Sequence, residues 1–218
     1  MCTQVDDGSP AGPEGRGRLA TSSVSRSDIV ALMLDAARVE PGMRVLEIGT
    51  GTGYTAALLA HQLGARNVTS IEIDPDLAAR ARTALTTTGD GDGDVRVITG
   101  DGARGYPPAA PFDRVLSTVA APRVPYSWVA QTQPGGLVLT PWGSAYDPAG
   151  LLSLTVRPDG TATGGLVNTT ISFMELREQR IRRAAIADVV RDTDAPHQSH
   201  RPARLPPMQR RRILRNRA

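Results

Sequence analysis

The stretch VLEIGTGTGYTAALLAHQL, beginning at Val45, constrains the fold more than any other part of the chain. A short apolar run containing one acid enters three alternating glycines and then a row of helix formers. Strand, glycine turn and helix in that order make half of a βαβ unit, which requires a parallel neighbour. The neighbour is predicted at VTSIEID, 68–74, after which Pro75 opens a helix through Leu77, Ala78, Ala81 and Leu85. Further strands are predicted at DVRVITGD (94–101), FDRVLSTVA (112–120) and GGLVLTPW (135–142), with a short helix at VPYSWVAQT between the last two. The segment 151–176 alternates around a PDG turn as an antiparallel pair. Upstream, a helix capped by Ser27 or Asp28 carries Ile29, Leu32, Met33, Ala36 and Ala37 at helical spacing and stops at Pro41-Gly42. The expectation is an α/β protein: a mostly parallel twisted sheet, helices on both faces, and a C-terminal antiparallel hairpin.

At 218 residues, 40% of them apolar, the chain has material for one substantial core. Residues 1–27 are rich in Gly, Pro, Asp and Ser and read as an arm or truncated cap, 28–176 as the folded domain, and 177–218 as a basic, disordered tail. Charge follows the same division. Every cation is arginine, and through Leu176 there are 13 against 18 acids, a net of −5; from Arg177 onward there are 12 against 4, a net of +8. The lone cysteine, Cys2, allows neither an internal disulfide nor a multi-cysteine metal site and suits a reducing cytoplasm. No run approaches the roughly 20 apolar residues of a membrane span, and no signal peptide is recognisable. No membrane or metal partner is expected, and a monomer is. GDGDGD at 89–94 resembles a calcium loop in composition only, lacking the ligand spacing and closing Glu.

Chemistry is concentrated around Glu47, Gly49, Thr50, Gly51 and Gly53, with Glu72 at the end of the next strand. Glycines there let the backbone turn sharply and approach a ligand. Glu72 follows Gly49 by 23 residues, about the interval at which an acid on strand two meets a ribose diol. A dinucleotide fingerprint, G-x-G-x-x-G, leaves room for a pyrophosphate at the helix N-terminus; this loop reads G-T-G-T-G and carries an acid two residues before it. A carboxylate so placed opposes a pyrophosphate but can face a cationic amino acid or sulfonium. No GK[ST] follows, which excludes a P-loop. Asp101-Gly102, ending the third strand, is positioned to accept from an adenine amino group, or simply to cap a turn. Three acids at three successive strand ends point to S-adenosylmethionine as cofactor and to a Rossmann-like class I methyltransferase.

At this point the sequence resembles the protein-L-isoaspartate O-methyltransferase family, through SVSRSDIVALM (23–33), VLEIGTGTGYTAALLA, IEIDPDLAARAR, VITGDG, PFDRVLSTVAAPRVP and QTQPGGLVLTPWG (131–143), about two thirds of the chain. The resemblance implies that Ser25 is the active-site serine of a segment usually written T-I-S-x-P. It implies that Glu47, Gly49, Gly51 and Gly53 form the cofactor loop, Glu72 is the ribose acid and Asp101 with Gly102 the adenine contact. Thr118, Ala120 and Ala121 lie where the family holds its peptide substrate. Two departures stand out. Ser27 replaces the proline after the serine, and with Met1 only about 25 residues before Ser25 the family's N-terminal helical wall is expected to be missing. The region PWG…LLSLTV…FMELREQR looks more like the branch that methylates aspartates of ribosomal peptides beside ATP-grasp ligases.

A carboxylate is ionised at neutral pH and needs no strong base before methylation. This suits a chain whose histidines, His61, His197 and His200, lie outside the core motifs. The expected activity is carboxyl O-methylation of an aspartyl or isoaspartyl residue of a protein or peptide, with Ser25 orienting the acceptor. A small-molecule O-methyltransferase shares the same cofactor half, and a truncated, non-catalytic remnant is the other alternative. Methylation of a nucleobase amine is disfavoured, because STVAAP stands where those enzymes carry an N-P-P-Y type motif. Nucleic acid is disfavoured as a partner too: no aromatic interleaves the tail arginines, and Pro202, Pro206 and Pro207 break helices. Trp128 and Trp142 read as packing residues rather than substrate stackers.

Overall fold

A computed structural model describes residues 2–8, 19–88, 94–143 and 150–180. Their order is β1 (Cys2–Val5), β2 (Ala20–Ser23), α1 (Ser27–Ala37), β3 (Val45–Ile48), α2 (Tyr54–Leu63), β4 (Val68–Glu72), α3 (Pro75–Thr88), β5 (Arg96–Thr99), β6 (Phe112–Ser117), α4 (Tyr126–Ala130), β7 (Thr132–Trp142), β8 (Gly150–Val156) and β9 (Ala162–Thr170). GDGDGD lies outside the described residues except for Asp94, as does the chain from Ile181 onward. One compact unit runs from Met1 to Arg180.

Seven strands form one sheet in the order β5-β4-β3-β6-β7-β8-β9. The first five are parallel; β8 and β9 close the edge as an antiparallel pair, with Leu137 opposite Thr155 and Leu151 opposite Val167. The chain moves outward from β3 to β5 and then returns to place β6 on the other side of β3. That reversal opens a crevice at the carboxyl ends of β3 and β6, the place where open α/β sheets bind ligands.

Alternation along the strands divides the core. Val45 packs with Met33, Ala37, Leu59 and Leu63 under α1 and α2, whereas Leu46 and Ile48 pack with Phe112, Val115 and Trp128 on the opposite face. That second face is covered by α4, five residues long, and by short 3-10 turns at Gly102–Arg104 and Pro107–Ala109. Helices therefore cover both faces unevenly. Trp128 is fully buried and donates from Nε1 to the Gly102 carbonyl at 2.8 Å, a packing role as expected.

Two local features differ from expectation. Neither Ser27 nor Asp28 caps α1: Arg26 occupies the N-cap position without a side-chain cap, and Asp28 instead pairs with the Arg26 guanidinium at 2.5 Å. The helix stops at Ala37, before Pro41, because Arg38 turns left-handed (φ 49°) and Arg114 reaches the Ala37 and Arg38 carbonyls at 2.6 and 3.1 Å. The second difference lies within residues 1–27, expected as an arm or truncated cap, where Cys2–Val5 and Ala20–Ser23 pair as a two-stranded antiparallel sheet, β1 with β2. Polar contacts fasten it: Thr3 to Ser22 and Thr21 to Gln4, each 2.9 Å, and Gln4 Nε2 to Asp74 Oδ2 at 2.8 Å.

Glu47 takes the same side of β3 as Val45 and is completely buried. Ser70 donates to its Oε2 at 2.5 Å, the Ser70 and Thr50 hydroxyls are 2.6 Å apart, and Oε1 meets no partner among the described residues. Burial pushes this carboxyl up to about 8, against the Ser70 hydrogen bond that pulls it down and with a further push from Glu72. Between the ordinary value of 4.5 and 8 the folded chain holds a proton that the unfolded chain has released. Stability from this group is therefore present below that window and lost as pH rises through it. Glu47→Gln carries the neutral form permanently. Its melting temperature should gain on that of the parent progressively from pH 5 to pH 8.5; a constant difference across thermal melts in that range would show a group indifferent to burial.

Candidate active site

A cavity of about 600 Å³ occupies the crevice. Its walls come from the β3–α2 loop, the ends of β4 and β5, the loop after β6, the β2–α1 connection and the segment after β9.

The β3–α2 loop is held by its own amides. Gly49 and Thr50 donate to the Ile71 carbonyl at 2.8 and 3.2 Å, Gly53 donates to Thr50 at 2.9 Å, and Gly51 donates to Glu72 Oε2 at 2.8 Å. Gly49 has φ 93°, and a Cβ there would sit 2.8 Å from Thr118 Oγ1 and 2.9 Å from Val119. This glycine allows the loop to meet the chain after β6, not a ligand. Gly102 is required in the same way, by Ile48 at 2.5 Å from an added Cβ, and Gly53 faces Leu85. Among these four only Gly51 would place an added Cβ in ordinary contact, with Ser22 Oγ at 3.8 Å as its nearest neighbour.

With four loop amides already bonded, this loop is a poor cradle for a pyrophosphate, which binds through free backbone N–H groups. Glu72 adds a carboxylate to the same wall, its Oε1 accepting from the Asp74 amide at 3.1 Å. Each Glu72 oxygen retains a lone pair for a hydroxyl donor. Asp101 also lines the cavity; it accepts from the Ala103 amide at 2.9 Å, so the turn-capping role and a place in the site coexist. Tyr54 and Thr55, the first residues of α2, bring to the wall a helix N-terminus without a side-chain cap, which could receive a ligand carboxylate. Acid, acid and helix N-terminus together fit a nucleoside joined to a zwitterionic, sulfonium-bearing amino acid.

Glu47 does not reach this cavity; it lies beneath the floor, so it cannot oppose or attract a ligand by direct contact. The acid facing the cavity from these strand ends is Glu72 rather than Glu47. Thr50, Gly49, Gly51 and Gly102 line the cavity, whereas Gly53 supports it from behind as the left-handed N-cap of α2.

Ser25, half-buried between β2 and α1, lines the cavity, and no partner among the described residues engages its hydroxyl. Thr118 lines it too, but its hydroxyl is committed to the Ile48 and Gly49 carbonyls at 3.1 and 2.6 Å. Ala120 and Ala121, expected at the substrate, are buried and stand outside the lining. Ala120 bridges to the segment after β9, with its amide on Met174 at 2.7 Å and its carbonyl on Leu176 at 2.9 Å, and Ala121 donates to Pro141. Their residues are small because two chain segments meet there. His61 is exposed on α2 and outside the lining.

Residues 171–177 and Arg180 form a wall that reading by strand pattern missed. The sequence FMELREQR offers no alternation; the Ala120 bridge, the burial of Leu176 and the Gln179–Arg123 hydrogen bonds bring it over the crevice. The polar stretch Thr21–Ser23 was missed likewise.

The family model of protein-L-isoaspartate(D-aspartate) O-methyltransferase matches residues 17–193. A protein-L-isoaspartate O-methyltransferase of Anaeromyxobacter sp. is 51% identical over 123 residues, 56% of this chain and 57% of that protein. One from Polaromonas sp. is 40% identical over 168 residues, 77% of this chain and 75% of that protein. The chain thus spans a little over half the length of the first of these relatives and three quarters of the second. A solved protein-L-isoaspartate O-methyltransferase superposes with a TM-score of 0.65 at 28% identity, covering 71% of this chain and 48% of that one. A Plasmodium falciparum structure in complex with S-adenosyl-L-homocysteine shares the fold, with a TM-score of 0.63 at 18% identity, covering 73% of this chain and 78% of that one. On the matched span and the shared architecture, the chain belongs to the protein-L-isoaspartate(D-aspartate) O-methyltransferase family.

Proposed function

We propose that the protein is an S-adenosylmethionine-dependent carboxyl O-methyltransferase acting on an aspartyl or isoaspartyl residue of a protein or peptide. The observation that carries this reading is the meeting of Glu72, Asp101 and Ser25 on one cavity whose glycine loop has no free amides at Gly49, Thr50, Gly51 and Gly53. Family membership supports it, as does the S-adenosyl-L-homocysteine named with a relative of the same fold. The cofactor, when bound, supplies a methyl group made electrophilic by the positive sulfur. Glu72 would hold the ribose hydroxyls and Asp101 the adenine edge.

The acceptor carboxylate attacks with a lone pair and loses no proton, so the protein is spared a general base. What remains is to position one oxygen and to keep water from competing. Ser25 can donate one hydrogen bond to the acceptor oxygen that does not react. Backbone groups of the segment after β9 border the same space and can meet the peptide around it. Among the described residues no helix is long and apolar enough to cross a membrane. Cys2 is exposed and unpaired, which suits the reducing cytoplasm this reading assigns.

Transfer of labelled methyl groups to isoaspartyl and aspartyl peptides tests the reading directly, and transfer to neither would contradict it. Ser25→Ala should lower kcat/KM about ten- to a hundredfold, a loss of orientation alone, with cofactor affinity unchanged by calorimetry; full activity in this variant removes the serine from the site. Glu72→Ala should weaken cofactor binding about tenfold or more, the worth of a hydrogen bond to a charged group. Glu72→Gln, which keeps one acceptor, should fall between; equal affinity in all three proteins would exclude a ribose contact.

A further inference from the structure

Arg177 and Arg180 both line the cavity, and both turn their guanidinium groups onto one carboxylate of the chain's own, that of Asp7. Arg177 Nη2 stands 3.1 Å from Asp7 Oδ1, and Arg180 Nη1 stands 3.3 Å from each Asp7 oxygen. The side chains remain a third or less exposed for the arginines, 33% and 20%, and 39% exposed for Asp7, so the contact sits at the rim. The match is incomplete: Arg177 Nε is buried and has no partner among the described residues.

Asp7 is held there in an unfavourable backbone. Asp6, Asp7 and Gly8 are successive left-handed residues, φ 48°, 54° and 80°, and the two aspartates are conformations that residues with a Cβ rarely adopt. Such strain persists where surrounding contacts impose it and recurs at ligand clamps and active sites. The hairpin carrying Asp7 is otherwise anchored through Gln4 to Asp74 at 2.8 Å. Release of Asp7 would free Arg180 and leave Arg177 only its longer-range attraction to Asp74, without undoing that anchor.

We propose that Arg177 and Arg180 form a carboxylate-binding pair for an acidic side chain next to the methyl acceptor in the substrate peptide, with Asp7 as its internal stand-in. This rests on the peptide-methylation reading above and adds the substrate class: acidic segments. The pair serves a neighbouring acid rather than the acceptor itself. Guanidinium groups that engage both oxygens of a carboxylate hold its negative charge in strong hydrogen bonds and so lower its nucleophilicity. Exchange of Asp7 for a substrate acid keeps the charge balance at the rim and relaxes the left-handed turn.

Anisotropy of a fluorescein-labelled, C-terminally amidated isoaspartyl peptide, flanked by Glu or by Gln, tests this with the full chain in the presence of S-adenosylhomocysteine. The parent should prefer the Glu peptide about tenfold. Asp7→Asn, which removes the competitor, should enlarge the preference severalfold, and the double variant R177Q/R180Q should reduce it toward one. Equal binding of both peptides by the parent, an unchanged preference in R177Q/R180Q, or weaker Glu-peptide binding by Asp7→Asn would each overturn the proposal. Asp7→Asn alters only the rim and keeps the test valid if the double variant does not fold. Labelled methyl transfer in the same samples separates the two readings. A Glu preference without transfer retains the arginine pair and removes carboxyl methylation, whereas transfer without a Glu preference removes the pair alone.

Discussion

The carboxylate of Glu72 accepts one amide from the glycine loop and another from the exit of its own strand, Gly51 at 2.8 Å and Asp74 at 3.1 Å. Much of the site depends on this pair of bonds. They pull the β3–α2 loop against the end of β4, so the loop amides face inward to the protein. They also leave an acid on the cavity wall, with lone pairs still open. A loop built this way has four amides fewer to offer a phosphate, and beside it stands a carboxylate that can accept from hydroxyl donors.

A second layer lies under the loop. The Thr50, Ser70 and Glu47 side chains form a buried chain of contacts at 2.6 and 2.5 Å, which joins the loop to two adjacent strands. A neutral Glu47 can take part at modest cost, whereas its ionised form would stand unpaired in the core. Glu47 is thus part of the support, and Glu72 part of the surface. The identity of the two as acids at strand ends conceals opposite environments, one dry and one open to the cavity.

The mostly parallel sheet and its closing antiparallel pair were legible because apolar strands and amphipathic helices alternate at spacings that a parallel sheet satisfies, whereas the strand order came only from the structure. Glu72 and Asp101, which line the cavity, were legible from their places at strand ends, and Ser25 only through the family resemblance. Glu47 was misplaced for a physical reason: a strand pattern gives the register of a residue but not which of two successive positions turns toward solvent. Ala120 and Ala121 were misread because their smallness accommodates the segment after β9, a contact remote in sequence. The β1–β2 hairpin and Arg177 with Arg180 were missed since hydrogen bonds and ion pairs, not apolar periodicity, hold them in place.

The central claim is that the Glu72-latched loop selects a cationic, sulfur-bearing nucleoside over a pyrophosphate. Titration calorimetry of the full chain with S-adenosylmethionine and, separately, with NAD measures that selection without any acceptor. The structure leads to saturable binding of the sulfur nucleoside and none of NAD at the same concentrations. Saturable NAD binding, or heat from neither ligand at millimolar concentration, would contradict it.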